Sequence, residues 1–158
     1  MEPGFSDNVF MALSMRFQNK SDTDRYCVLC VDDMAIQRAL EFDQKRDLVD
    51  GFDGDGVHRS PLPGTEALVF MARGLVSHWK QPLCYFISAG PSSSNRIGNL
   101  VLQCIAKLQA IGLHVKAVIC DQGANNRGMF ANFKVTVEKP FIEVNGERII
   151  LCMIPHTY

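Results

Sequence analysis

Short apolar runs alternate with polar punctuation along this chain, and one long stretch repeats with helical period. Residues 27–31 are apolar, of strand length, and stop abruptly at Asp32 and Asp33. Small and β-branched residues fill the run, as expected of a strand buried on both faces. Residues 115–120 repeat the pattern, and that run stops at Asp121. Between them Ile97, Leu100, Val101, Cys104, Ile105, Leu108 and Ile111 recur at three- and four-residue steps, the stripe of an amphipathic helix. The polar cluster 92–95 supplies its N-cap and Gly112 its stop, while Gly98 inside it marks close packing. An earlier helix, capped by Ser6 or Asp7, carries Val9, Phe10, Leu13 and Phe17 on one side. Residues 67–72 and 83–88 read as further strands, and 126–133 as a short helix. Segments 40–43 and 48–52 alternate apolar with polar, as a hairpin with one wet face does. Segments 141–144 and 148–153 flank Asn145-Gly146, the strongest two-residue hairpin signal. Residues 35–40 form a short helical turn or an irregular link, and the Gly-, Asp-, Ser- and Pro-rich stretch 51–64 a loop.

Antiparallel strands, one long helix and then a buried strand predict an α/β or α+β sheet with a helix packed on it. A strand–helix–strand crossover makes its two strands parallel. If the 115–120 strand inserts beside the 27–31 strand, Asp32 and Asp121 meet at one end of the sheet.

Composition narrows the class. The 158 residues suit one domain, and 47% hydrophobic with 21% charged residues is globular. Sixteen Lys+Arg against 17 Asp+Glu, net charge −1, give no electrostatic footprint of nucleic-acid binding. Six cysteines lie inside apolar segments and read as small core residues in a reducing compartment. Cys27 and Cys30 point to opposite faces of a strand, which excludes a shared zinc ion. With no signal peptide and no apolar run of spanning length, a soluble intracellular protein is expected, with no membrane partner.

The carboxylates carry the candidate chemistry. Unpaired carboxylates are costly to desolvate, and two at one sheet edge repel unless one is protonated or both hold a cation. Mg²⁺ takes oxygen ligands, keeps several waters and needs only one or two carboxylates plus substrate phosphate. Two such ions about 3.5–4 Å apart clamp the attacking and leaving oxygens of a phosphoryl displacement. Against this, Asp also ends strands simply because it starts turns and caps helices. Asp33 either joins the metal set or, pointing to the other face, caps the next turn. Asn125 and Asn126 either bond near Asp121 or cap the following helix. Arg73, Trp79 and Lys80 are possible DNA contacts, through phosphate charge and base stacking, or else rim packing and a solvated face. His156 is a further candidate near the chain end.

Four stretches in register carry a resemblance: Leu29-Cys30-Val31-Asp32-Asp33-Met34; Val69-Phe70-Met71-Ala72-Arg73-Gly74-Leu75 with Trp79-Lys80-Gln81-Pro82; Val118 through Asn126; and Lys139 through Gly146. Together they resemble the catalytic core of P-element-type transposases, the family that includes THAP-domain transposases and their domesticated relatives. The resemblance implies an RNase H-like mixed sheet with antiparallel hairpins, one long amphipathic helix and a parallel crossover strand. It implies residues 1–25 as an N-terminal helix and lead, and 26–158 as a partial catalytic domain. It makes Asp32 and Asp121 the first two acids of a triad that uses Mg²⁺ or Mn²⁺ to cleave and transfer strands of transposon-end DNA in the nucleus, and it leaves self-association open. In the family a GTP-binding insertion and a final acidic residue follow this region. Here Asp33 stands where the family commonly has Glu, and Met153 replaces the acid of a family Asp-x-Pro-His pattern. A truncated or decayed copy, inactive by itself and binding only partners, is therefore the alternative to a working catalytic core.

Overall fold

A computed structural model describes residues 2–55 and 57–155. The first strand, β1 (Gly4–Phe5), leads into helix α1 (Asp7–Phe17), which buries Phe10, Leu13 and Phe17. Ser6 sits at the N-cap position, but its side chain makes no capping bond. The central strand β2 (Tyr26–Ala35) follows, then a small hairpin, β3 (Glu41–Asp43) and β4 (Leu48–Asp50). Next come β5 (Phe52–Gly54), β6 (Arg59–Pro63), β7 (Glu66–Gly74) and β8 (Lys80–Ser88). Helix α2 (Ser94–Ala110) crosses to β9 (His114–Asp121), and α3 (Ala124–Asn132) precedes the hairpin β10 (Phe141–Val144) and β11 (Glu147–Ile154).

Nine strands share one sheet in the order β10-β11-β9-β2-β7-β8-β5-β6, with β1 added on β8, while β3 and β4 pair only with each other. β9 lies parallel to β2 on one side and to β11 on the other, and β7 runs antiparallel to both of its neighbours, β2 and β8. The sheet is therefore mixed, and the crossover through α2 places β9 where the sequence pattern predicts. One feature of the β2–β9 ladder lies outside any sequence pattern. Cys27 pairs with Val115 but Val28 with Ala117, so Lys116 is an extra residue in β9.

One face of the sheet holds the core. Cys27, Leu29 and Val31 of β2, and Leu68, Phe70 and Ala72 of β7, are buried there against Phe86, Leu83 and the apolar stripe of α2. Phe70 meets Phe86 edge-on with ring centroids 5.9 Å apart, a favoured aromatic geometry. Ser93 caps α2 by accepting the Arg96 backbone N–H at 3.2 Å, and Gly112 turns the chain out of the helix at φ +84°. Gly98 does mark close packing: a Cβ there would stand 3.3 Å from the Phe133 ring.

Two expectations change. Residues 51–64 contain the paired strands β5 and β6, and Gly54 of β5 also pairs with Ile87 of β8. Pro61 and Pro63 are tolerated because β6 ends the sheet, where a missing N–H costs no ladder bond. The cysteines also divide. Cys27, Cys84, Cys104 and Cys120 are buried, Cys30 is half-buried and Cys152 is exposed, all as free thiols. Burial pushes the Cys27 and Cys120 thiols up to about 12. Since the thiolate is the nucleophile, brief iodoacetamide treatment of folded protein at pH 8 should modify Cys152 and spare Cys27 and Cys120, as read by peptide mass spectrometry.

Candidate metal centre

The site is built at the carboxyl ends of β2 and β9. Their parallel pairing runs through Leu29 with Val118 and Cys30 with Ile119. Two residues further along each strand stand Asp32 and Asp121. Neighbouring strands lie about 4.8 Å apart, and residues two apart share a face, so both carboxylates rise from one face of adjacent strands. It is the face opposite the core, since Leu29, Val31, Val118 and Cys120, the alternate residues, are the buried ones.

The chain after Asp121 folds back onto its carboxylate. The Gly123 backbone N–H donates to Asp121 Oδ1 at 2.8 Å, and Asn126 Nδ2 donates to the same oxygen at 2.7 Å. A Cβ on Gly123 would lie 2.9 Å from that oxygen, so the turn admits no side chain. Of the two alternatives for Asn126, the structure takes the bond to Asp121: the N-cap position of α3 is Gly123, and no side chain caps that helix.

Asp33 occupies the other face of β2, as strand alternation requires. A backbone N–H of Ser92, at the start of α2, donates to its carboxylate. One of its oxygens, Oδ1, is buried without a hydrogen-bond partner. Burial, then the Glu66 carboxylate, push the Asp33 carboxyl above the ordinary value of 3.8; Asp32 and Asp121 add smaller pushes, and the Ser92 N–H opposes them. Of the three acids expected in a metal set, the structure pairs Asp32 with Asp121 and turns Asp33 away.

The expected DNA contacts also separate. Trp79 is 7% exposed, 4.8 Å from the Phe17 ring, and donates its indole N–H to the Asp24 carbonyl at 3.4 Å. It is a packing residue, with no open ring for a base. Arg73 stays exposed, paired across the sheet with Val28 on one side and Lys80 on the other. Arg73 and Lys80 line a cavity of about 690 Å³ with His78, Val28 and Ile119, on the face that carries Asp32 and Asp121. His156 lies outside the described residues.

The donor set suits a hard divalent cation in part. Two carboxylates on one face match the one or two that Mg²⁺ commonly takes from protein. Among the described residues, no group of three or more His, Cys, Asp or Glu side chains is placed to hold a metal. Asp32 and Asp121 would supply two ligands, and the remainder would be water or substrate oxygen.

A mixed sheet of this order, with two acids on neighbouring parallel strands, defines an RNase H-like α/β domain. The family model described as TNP-like, RNase H N-terminal domain matches residues 1–134, and the chain belongs to that family. It is 32% identical over 129 residues to human DNA transposase THAP9 and 27% identical over 120 residues to the Transposable element P transposase of Drosophila melanogaster. Those alignments cover 78% and 75% of this chain but 14% of each relative. The Drosophila P element transposase strand transfer complex shares the fold, with a TM-score of 0.72 at 22% identity, over 96% of this chain and 31% of that one.

Proposed function

We propose that this domain supplies the Asp32 and Asp121 ligands of a metal-dependent centre for DNA strand cleavage and transfer. The observation that supports it is the β2–β9 register, which sets two acids side by side on an exposed face. A bound Mg²⁺ or Mn²⁺ would activate the attacking hydroxyl and stabilise the leaving oxygen. The protein's own residues hold and orient. Asp32 and Asp121 fix the cation, and Gly123 and Asn126 hold the Asp121 carboxylate. Arg73 and Lys80 lie back along the same face and attract backbone phosphate. Asp32 is four residues past Val28, the cross-strand partner of Arg73, about 13 Å at strand rise. Work on transposon-end DNA implies a nuclear location. No helix among the described residues is long and apolar enough to cross a membrane.

Calorimetric titration of Mn²⁺ into the wild-type chain and Asp121→Ala tests this reading. Saturable heat in the wild type, lost in the variant, is expected. Equal heats would leave the other reading, a transposase-derived domain that binds partners without catalysing.

A further inference from the structure

Asn126 is an unusual side chain to find inside a protein. It is 6% exposed. Its Nδ2 donates to Asp121 Oδ1 at 2.7 Å and reaches toward the Asp121 carbonyl at 3.4 Å. Its own oxygen, Oδ1, is buried and has no hydrogen-bond partner. An orphaned buried acceptor loses its hydration without compensation, a cost that an apolar residue of similar shape would avoid. The amide does no capping. Its orientation is set by chemistry, because turning the oxygen to Asp121 would oppose two acceptors. The benefit that offsets the buried oxygen is thus the charge-assisted bond to Asp121.

A carboxylate turns easily about its last torsion, which is broad and two-fold. Two donors on one oxygen, Gly123 N–H and Asn126 Nδ2, remove that freedom. Fixing Oδ1 at two points fixes the carboxylate plane, and with it the place of the second oxygen. Mg²⁺ demands near-ideal octahedral geometry, so a ligand already held in plane binds it better than one that must first be ordered.

We propose that Asn126 is a positioning residue: it holds the Asp121 carboxylate in the orientation that binds a divalent cation. This rests on the reading of Asp32 and Asp121 as metal ligands. Groups that only orient a metal ligand typically contribute 10–100-fold to affinity, and that is the expected loss.

The test is Mn²⁺ titration, by calorimetry and by the electron paramagnetic resonance of free Mn²⁺, of the full chain. Wild type is compared with Asn126→Leu, Asn126→Ala, Asn125→Ala and Asp121→Ala, with a thermal melt of each. Asn126→Leu keeps the number and branching of the side-chain heavy atoms and removes both the donor and the orphaned oxygen. It should bind Mn²⁺ about 10–100-fold more weakly with an unchanged or higher melting temperature, and Asn125→Ala should bind as wild type does. A purely structural Asn126 predicts the opposite split, a lower melting temperature with affinity kept, and that result would overturn the proposal. Should Asn126→Leu fail to fold, Asn126→Ala, which adds no bulk, decides on affinity alone. Wild-type affinity in both Asn126 variants, with binding lost in Asp121→Ala, refutes the positioning role and leaves the metal site standing. No Mn²⁺ binding by the wild type refutes both.

Discussion

Asp32→Asn should weaken Mn²⁺ binding by more than about 100-fold, whereas Asp33→Asn should leave it unchanged. The lower bound follows because even residues that merely orient ligands cost 10–100-fold. The two acids are adjacent in sequence and carry the same charge, so any difference between them comes from the face each occupies. Asp32 is exposed beside Asp121, while Asp33 is directed to the start of α2, where Ser92 meets it. Asp33→Asn should also act on stability, with a sign that can be worked out. The folded carboxyl is raised above 3.8, so the folded state holds its proton to higher pH than the unfolded chain. Stability from this group is therefore greatest below the unfolded value and falls as pH rises through the folded one. At neutral pH the ionised carboxylate is a liability beside Glu66. The Asn variant should melt at a higher temperature than the wild type at pH 7 and show a flatter stability profile between pH 4 and neutrality. Melting by circular dichroism across that range, beside the Mn²⁺ titration, checks both statements. Equal loss of metal binding in the two variants would show that β2 does not alternate as described.

Phe70→Ala should destabilise the domain by about 3–5 kcal/mol, the usual cost of removing a buried aromatic ring. Phe70 is fully buried in β7, which lies between β2 and β8 near the middle of the sheet. Its ring touches Phe86, which in turn meets Phe5 at 5.3 Å. The hole cannot close easily, because rigid strands flank it on both sides. With about 2–4 °C per kcal/mol for a domain of this size, the melting temperature should drop by roughly 6–20 °C. Urea denaturation should show a lower midpoint with an unchanged slope. A drop under 2 °C would mean that the core relaxes around the site.

Much of this arrangement was legible in the sequence, and the reasons are local. The runs before Asp32 and Asp121 are too apolar for anything but buried strands, and the stripe from Ile97 to Leu108 has one period only. The α2 crossover sets β9 parallel to β8, and the two antiparallel steps through β7 set β8 in the direction of β2, so the two acid-bearing strands run parallel. Asn145-Gly146 forced its hairpin, with both residues at positive φ. What escaped depends on distant partners. Residues 52–63 look like a loop because Gly and Pro dominate, yet Gly54 finds Ile87 of β8. Trp79 could stack on a base or fill a core, and only the arrival of Phe17 from α1 decides it. The capping and carboxylate-binding roles of Asn126 share one sequence signature, since both need a short amide near a helix start. The backbone path after Asp121 separates them.

The extra residue in β9 has a consequence for the acids. Strand side chains alternate, so one additional residue reverses the phase of everything after it. Without Lys116 as an extra position, the pairing of Cys27 with Val115 would continue unbroken and set Asp121 opposite Asp33, on the core face. Cys120 would then stand beside Asp32. The single outpouching near the start of the strand thus acts as a phase shifter for a site five residues downstream. Straightening the bulge with every residue kept would part the acids, whereas deleting Lys116 would leave Asp32 and Asp121 side by side.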